Sequence, residues 1–414
     1  MGHLVFSEPQ RKGEFMQYDL VFEGGGAKGM VFVGALQEFE RCGHTFGRLL
    51  GTSAGAIMAT YTAAGFSVEE MLTALKEKDA SNEPVFKQFL GRPRAFTPEE
   101  IAHSATRAAL DKLDVPYLPN FLESYLDRFI LGMMSTDEMV HFFSLVERGG
   151  WYSADKFMEW ARAKLDQPMP DGRPRKMSNR TFAELHHETG RELSLIAADI
   201  TDRRMLVLNH RTAPRLPLAW GMRMSMSVPF LWPEVIWQHE WGTYLNRSMA
   251  GHRVVDGGVL SNFPIELFLS ADPYVTALVG SKSSQGVMGL LIDEDLEVNG
   301  IDSRQGNSHE TDIVLSDLPP VARILDLVET TTQAHDKMVI DAFEQFVCRL
   351  PAKGYRTTEF GMSDERRERL IDAGRLAMRN YLRTRETQGM RGPDIVEMER
   401  AYNRADRIAL KILK

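Results

Sequence analysis

An α/β fold, with a mostly parallel sheet flanked by helices, a helical insert and a C-terminal helical extension, is what this sequence predicts, and three observations carry the reading. Residues 18–23 with 30–39, and residues 46–50 with 54–64, each pass from a short apolar run through a glycine turn into a helical pattern. Two such units in succession build a parallel sheet whose functional loops gather at the strand C-termini. The third observation is that strand signals return only after a long, helix-patterned stretch, which places an insert between two halves of one sheet.

Each element follows from local signals. Residues 18–23 (YDLVFE) form a short, mostly apolar run that stops at three glycines, and 30–39 carry apolar residues at helical spacing. Residues 46–50 read as a second strand ending at Gly51, and 54–64 continue as a helix of small residues. Residues 49–68 hold no charge over twenty positions, the length of a membrane span, but only twelve are apolar and the rest are Gly, Thr and Ser; strand, turn and buried helix is the better reading. Between 67 and 187 lie four capping-box patterns, Ser67 with Glu70, Thr97 with Glu100, Ser135 with Glu138 and Thr181 with Glu184, which predict a mainly helical insert over about 67–190. Strand signals at 193–200, 205–208, 253–255, 275–279 and 287–292 close a principal domain expected over 18–297. Residues 298–320, polar and rich in Gly, Asp and Ser, predict a linker, and 321–350, 364–383 and 394–412 predict the helices of a C-terminal region over 321–414.

Composition narrows the function classes. In 414 residues, 43% apolar and 26% charged is an ordinary globular mixture, which excludes collagen-like, coiled-coil-only and wholly disordered chains. Lys and Arg number 49 against 57 Asp and Glu, a formal charge of −8, so the whole-molecule field repels nucleic acid and anionic membrane at long range. Any membrane attraction must then be local or apolar. Cys42 and Cys348 make neither a disulfide framework nor a metal-spaced pair, which fits a reducing compartment. Residues 1–17 lack an apolar core of seven or more, so a cytoplasmic protein without a secretory signal is expected.

Three short motifs carry chemistry. Gly51-Thr52-Ser53-Ala54-Gly55 fits G-x-S-x-G between a strand and a helix, where a sharp turn favours small neighbours and projects the serine hydroxyl into a cleft. Gly24-Gly25-Gly26-Ala27-Lys28-Gly29 also fits the G-x-G-x-x-G of dinucleotide folds, but those want an acid about twenty residues on, and residues 44–50 contain none. A P-loop fails too, because Met30 stands where lysine should follow the second glycine. The remaining use of such a turn is to aim backbone N–H groups at an oxygen that becomes negative during acyl transfer. Asp256-Gly257-Gly258 ends a short apolar strand with a carboxylate that could take the Ser53 proton directly.

Taken in order, G-G-G-A-K-G, G-T-S-A-G, the segment Met224-Ser225-Met226-Ser227-Val228-Pro229, and D-G-G followed by Val259-Leu260-Ser261-Asn262-Phe263-Pro264 resemble the patatin-like phospholipase family over about residues 18–65 and 193–293. The resemblance implies a lipid acyl hydrolase on a modified α/β-hydrolase sheet, acting through a Ser–Asp dyad with no metal and no cofactor. By position it makes Ser53 the nucleophile, Asp256 the general base and Gly24, Gly25 and Gly26 the frame of an oxyanion hole, with Lys28, Gly29, Gly51, Gly55, Gly257 and Gly258 supporting the motifs. Lys28 departs from the arginine more usual in the family, which exchanges a two-pronged fork for a point charge. The implied partners are a phospholipid or other acyl lipid and, transiently, a membrane surface at which the protein is peripheral.

Other features compete less well. His186-His187-Glu188 falls on a predicted helix, where adjacent histidines point about 100° apart and cannot chelate together, so a solvated face is the reading. Asp293-Glu294-Asp295 with Glu297 has the charge of a calcium loop but Val298 in place of its glycine, and reads as a solvated loop. Trp220, Trp232, Trp237 and Trp241 put four of the six tryptophans into 22 residues, beside Met222, Met224, Met226, Phe230 and Leu231; core packing and an acyl-chain groove both account for that cluster. Two further functional readings stand beside the dyad hydrolase. One is a Ser-His-Asp esterase, whose histidine would be His309 or His335; the other is a silent or latent scaffold that an activating partner or ligand switches on. The C-terminal region is expected to gate the cleft or to fix the oligomeric state.

Overall fold

The computed structural model describes residues 16–112, 132, 136, 139–301, 336–389 and 395–413. Its centre is an eight-stranded mixed sheet built from β1 (Gln17–Phe22), β2 (Thr45–Thr52), β3 (Leu193–Asp199), β4 (Arg204–Leu208), β5 (Val235–Ile236), β6 (Arg253–Asp256), β7 (Gly286–Glu297) and β8 (Val347–Lys353). The strands run in the order β8-β7-β1-β2-β3-β6-β5, with β4 also paired to β3. From β8 to β3 every pairing is parallel, whereas β4 and β6 lie antiparallel to β3, and β5 antiparallel to β6.

Parallel strands covered on both faces are apolar almost throughout, which is why 18–23 and 46–50 read as runs rather than alternations. Successive side chains still go to opposite sides. Leu20 and Phe22 enter a core with α1 (Val31–Arg41), α2 (Ala54–Ala63) and α4 (Asp364–Gly389), while Val21 and Leu50 enter a second core with α5 (Ile395–Leu413). A further helix, α3 (Leu218–Ser225), packs Leu218, Met222 and Met224 into the first core. The capping boxes at Ser67, Thr97 and Thr181 form in both directions. Ser135 and Glu138 lie outside the described residues. The helical insert lays Phe86, Phe89, Phe157 and Trp160 against the same core as α1 and α2.

Three sequence expectations are corrected. Residues 275–279 form part of an α-helix, Pro273–Val279, because Asp272 caps it by accepting the N–H groups of Tyr274 and Val275 and Pro273 opens its first turn; a five-residue apolar run cannot separate strand from helix by itself. Residues 336–343 are helical as expected, but the chain then leaves the helix and Val347–Lys353 joins the sheet edge beside β7. Asp293 to Glu297, expected as a solvated loop, continue β7. Of the expected linker and the helix after it, residues 302–335 lie outside the described residues, as do His309 and His335. The uncharged stretch 49–68 resolves into β2, a turn and α2, and among the described residues no helix is long and apolar enough to cross a membrane.

Candidate active site

The register of β3 brings the two sequence-expected residues together. β4 pairs along Leu195 to Asp199 and so occupies one edge of β3; β2 pairs with Leu193 to Ile196 and β6 with Ala197 to Asp199, so both must share the other edge. β2 ascends parallel to β3 and stops at Thr52 opposite Ile196, while β6 descends antiparallel and stops at Asp256 opposite Ala197. Ser53 and Asp256 therefore meet head-on at the point where the two strands end.

Ser53 has φ 53° and ψ −120°, a conformation costly for a residue with a Cβ, and it turns β2 directly into α2. Close approach explains the flanking glycines. A Cβ on Gly55 would lie 2.3 Å from the Phe22 carbonyl oxygen, and one on Gly51 would lie 2.2 Å from that of Gly55. The Ser53 N–H donates to Ser225 Oγ at 3.1 Å, and Ser225 donates to the Ile196 carbonyl at 2.5 Å. One turn later, the Ser227 carbonyl accepts the Asp256 N–H at 2.9 Å. The segment from Met224 to Pro229 thus pins both strand ends, a function that needed the fold to be recognised. Arg223, fully buried, holds Ser227 in turn through its guanidinium and reaches the Pro233 carbonyl at 2.8 Å.

Asp256 is 3% exposed; burial pushes its carboxyl up to about 7, opposed by the Gly258 N–H, which donates to Oδ1 at 2.7 Å, and by the Ser53 hydroxyl. Its other oxygen, Oδ2, is buried without a hydrogen-bond partner among the described residues. Gly257 sits so close to β3 that a Cβ would lie 2.6 Å from the Ile196 carbonyl oxygen.

The glycine turn closes the third side. A Cβ on Gly24 would stand 3.0 Å from the Ser53 Cβ, which measures how near the turn comes to the serine. The Gly24 N–H is engaged by the Asn262 carbonyl at 3.2 Å and the Ala27 N–H by the Thr357 carbonyl at 2.8 Å. Between them, the N–H groups of Gly25 and Gly26 have no acceptor among the described residues. Lys28 is buried and pairs with Glu294. Glu23, which sequence reasoning passed over, is buried beside the turn and accepts the Ile292 N–H at 2.5 Å; burial, with the nearby Asp336 charge, raises its carboxyl well above the usual range.

Ser53, Asp256, Glu23 and the glycine turn line one cavity of about 910 Å3. Its lining includes Trp232 and an aromatic cluster in which Tyr61, Phe66, Phe86, Phe89 and Trp160 are linked by ring contacts, and a charged group, Asp293, Glu294, Lys337 and Arg349, in which Arg349 pairs with Asp293. Of the tryptophan cluster only Trp232 reaches this cavity, while Trp237 and Trp241 are core residues, 1% and 5% exposed, and Trp220 packs against Trp241 with its ring tilted by 37°. Phe86, Phe89 and Trp160 come from the insert, and Tyr61 and Phe66 from α2 and the turn after it. No described histidine lines the cavity.

Two clusters elsewhere have metal-ligand composition. His187 is exposed as expected, but His186 is half-buried and stacks on His210, with ring centroids 3.7 Å apart and planes 2° apart, beside Glu192. Parallel rings send their in-plane lone pairs along parallel lines that do not converge on one ion, and Arg211 grips both Glu192 oxygens. At Asp199, Asp202 and His252, Arg204 lies 3.4 Å from both carboxylates. Both clusters are outside the cavity.

A mostly parallel sheet with a serine elbow at one strand end, beneath a largely apolar cavity, defines a class, the lipid hydrolases of patatin fold. Comparison gives the family: the family model described as patatin-like phospholipase matches residues 20–269, and the chain belongs to that family. The uncharacterized protein YqhO of Bacillus subtilis (strain 168) is 25% identical over 376 residues, covering 89% of this chain and 99% of that protein. The uncharacterized protein R571 of Acanthamoeba polyphaga mimivirus is 22% identical over 265 residues, 63% of this chain and 65% of that one. Among solved structures, VipD from Legionella pneumophila aligns with 90% of this chain and 67% of its own, at 14% identity and a TM-score of 0.42. ExoU of Pseudomonas aeruginosa, in its complex with SpcU, aligns with 90% of this chain and 53% of its own, at 14% identity and a TM-score of 0.38, so this chain spans about half of ExoU.

Proposed function

We propose that this protein hydrolyses carboxylic esters of phospholipids or related glycerolipids through an acyl-Ser53 intermediate, with Asp256 as the general base. The observation that carries the reading is the head-on meeting of Ser53 and Asp256 in the lining of a cavity that also carries an aromatic cluster and a group of charged side chains. Asp256 takes the Ser53 proton as Oγ attacks the ester carbonyl carbon, and the carbonyl π electrons move onto oxygen. Gly25 and Gly26, whose N–H groups lack other acceptors among the described residues, receive that oxyanion, with Gly24 framing the turn. Collapse expels the alcohol, which takes the proton back from Asp256. Water then attacks the acyl-serine, giving its proton to Asp256, and collapse breaks the acyl–Oγ bond, Ser53 Oγ taking the proton back from Asp256 as the fatty acid leaves. The acyl chain lies against the insert aromatics, and the head group meets the charged side chains of the lining and the membrane surface.

The test is a panel of defined phospholipids and lysophospholipids incubated with pure protein, products read by mass spectrometry, alongside Ser53→Ala. Fatty-acid release that vanishes in Ser53→Ala, and a serine-directed probe that labels Ser53, are expected. Turnover of short soluble esters with no release from any lipid would replace this reading by that of a general esterase.

A further inference from the structure

We infer that Asp336 is a positioning residue for the glycine turn, acting through Asn262; the inference rests on the proposed role of Gly25 and Gly26. The chain of contacts starts outside the part of the sequence that matches the family, which ends at residue 269. Asp336, 5% exposed in the helical residues 336–343, accepts the Ser261 hydroxyl at Oδ1, 3.2 Å away, and the Asn262 N–H at Oδ2, 3.1 Å away. Asn262 in turn grips Gly24 at both of its backbone groups. Its carbonyl accepts the Gly24 N–H at 3.2 Å and its Nδ2 donates to the Gly24 carbonyl at 3.0 Å.

The opposite end of the turn is held from the same region of the chain, where the Thr357 carbonyl accepts the Ala27 N–H at 2.8 Å. Gly25 and Gly26 are bracketed between these two anchors. Donors that act on a transition state work only when their positions are set beforehand, because a donor that must reorganise loses the advantage of a fixed dipole. Fixing Gly24 and Ala27 sets the peptide planes between them. The hydrogen bonds by which Asp336 reaches the turn run through Ser261 and Asn262, while its charge also raises the carboxyl of Glu23 beside the turn, an effect that Asp336→Asn removes while the hydrogen bonds survive.

The test uses the full chain and a phospholipid on which it turns over. Asp336→Ala removes both acceptors; Asp336→Asn keeps an acceptor for the Asn262 N–H and offers an NH2 to the Ser261 hydroxyl. The expected result is that Asp336→Ala lowers kcat about 10- to 100-fold with KM nearly unchanged, the pattern of an interaction made in the transition state, and that Asp336→Asn recovers most of it. Amide hydrogen exchange in peptides spanning residues 20–30 reads the turn without turnover: faster exchange in Asp336→Ala and wild-type exchange in Asp336→Asn are expected. If Asp336→Ala does not fold, Asn262→Asp, which keeps the shape but loses the Nδ2 donor to Gly24, takes its place with the same two readouts. Unchanged exchange, a rise in KM at constant kcat, or no rescue by asparagine overturns the inference. Ser53→Ala run in parallel separates the two ideas, since activity in that variant removes the hydrolase reading whatever Asp336 does.

Discussion

The N–H of Ser53 donates to the hydroxyl of Ser225 across 172 residues of sequence, and this bond holds the strained elbow in place. Ser225→Ala would leave a buried N–H without a partner, at a cost of about 1–3 kcal/mol. A lower melting temperature together with reduced kcat is the expected outcome, read by thermal unfolding and steady-state kinetics. An unchanged melting temperature would mean that the elbow is held by α2 and the glycines alone.

The proposed role of Asp256 as general base predicts the pH dependence. The base must be ionised to accept the proton, so with its carboxyl near 7 the rate should climb about tenfold per pH unit below 7 and level off above 8. A profile that levels off below pH 5 would contradict this.

The same carboxyl bears on stability with the opposite sign. The folded chain retains a proton that the unfolded chain releases near pH 4, so this contribution is complete below about pH 4 and is lost as pH rises through about 7, a change on the order of 4 kcal/mol. Asp256→Asn carries no such penalty. Its melting temperature should exceed that of the wild type by a margin that widens from pH 5 to pH 8, even as turnover disappears. A margin independent of pH would show that the group does not titrate in this range.

Two neighbouring glycines should differ in tolerance. Gly26 has φ 54°, and a Cβ there would lie 2.2 Å from the Thr357 carbonyl oxygen, whereas a Cβ on Gly25 would meet the tip of the Ile292 side chain at 2.4 Å. A side-chain tip can rotate away and a backbone carbonyl cannot. Gly26→Ala should therefore lower kcat more than Gly25→Ala, by about tenfold or more. Equal losses would point to a shared cause other than crowding.

Ala74 faces the cavity from the helix Val68–Leu75. Ala74→Trp should shift the preferred acyl chain to a shorter length while leaving turnover of short esters unchanged, as competition among esters of different chain length would reveal. Preference that does not move would take the acyl chain out of this part of the cavity.

The first two strand–turn–helix units were legible because their signals are local: a glycine turn and a change of hydrophobic period lie within a few residues of each other. The same holds for the capping boxes at Ser67, Thr97 and Thr181. Val347–Lys353 was not legible, since its apolar residues follow a helix without a glycine or proline to mark the change, and only pairing with β7 makes it a strand. Ser53, Gly24 to Gly26 and Asp256 stood out by motif, but the anchors Asn262, Asp336 and Thr357 and the insert aromatics did not. Their roles come from contacts between distant segments, such as the 74 residues separating Asn262 from Asp336, and no short window of sequence contains those.

The strand order also dictates a timetable. β1, near the start of the chain, lies between β2 and β7, so its second edge stays open until residues 286–297 have been made. At about 5–20 residues per second that wait is on the order of tens of seconds. An exposed apolar edge of this kind is a site for mispairing until β7 covers it. The groups that tie down the glycine turn, Asp336 and Thr357, emerge later still. A chain released early, by a stop codon or a protease, would carry Ser53 and Asp256 without these two anchors of the turn.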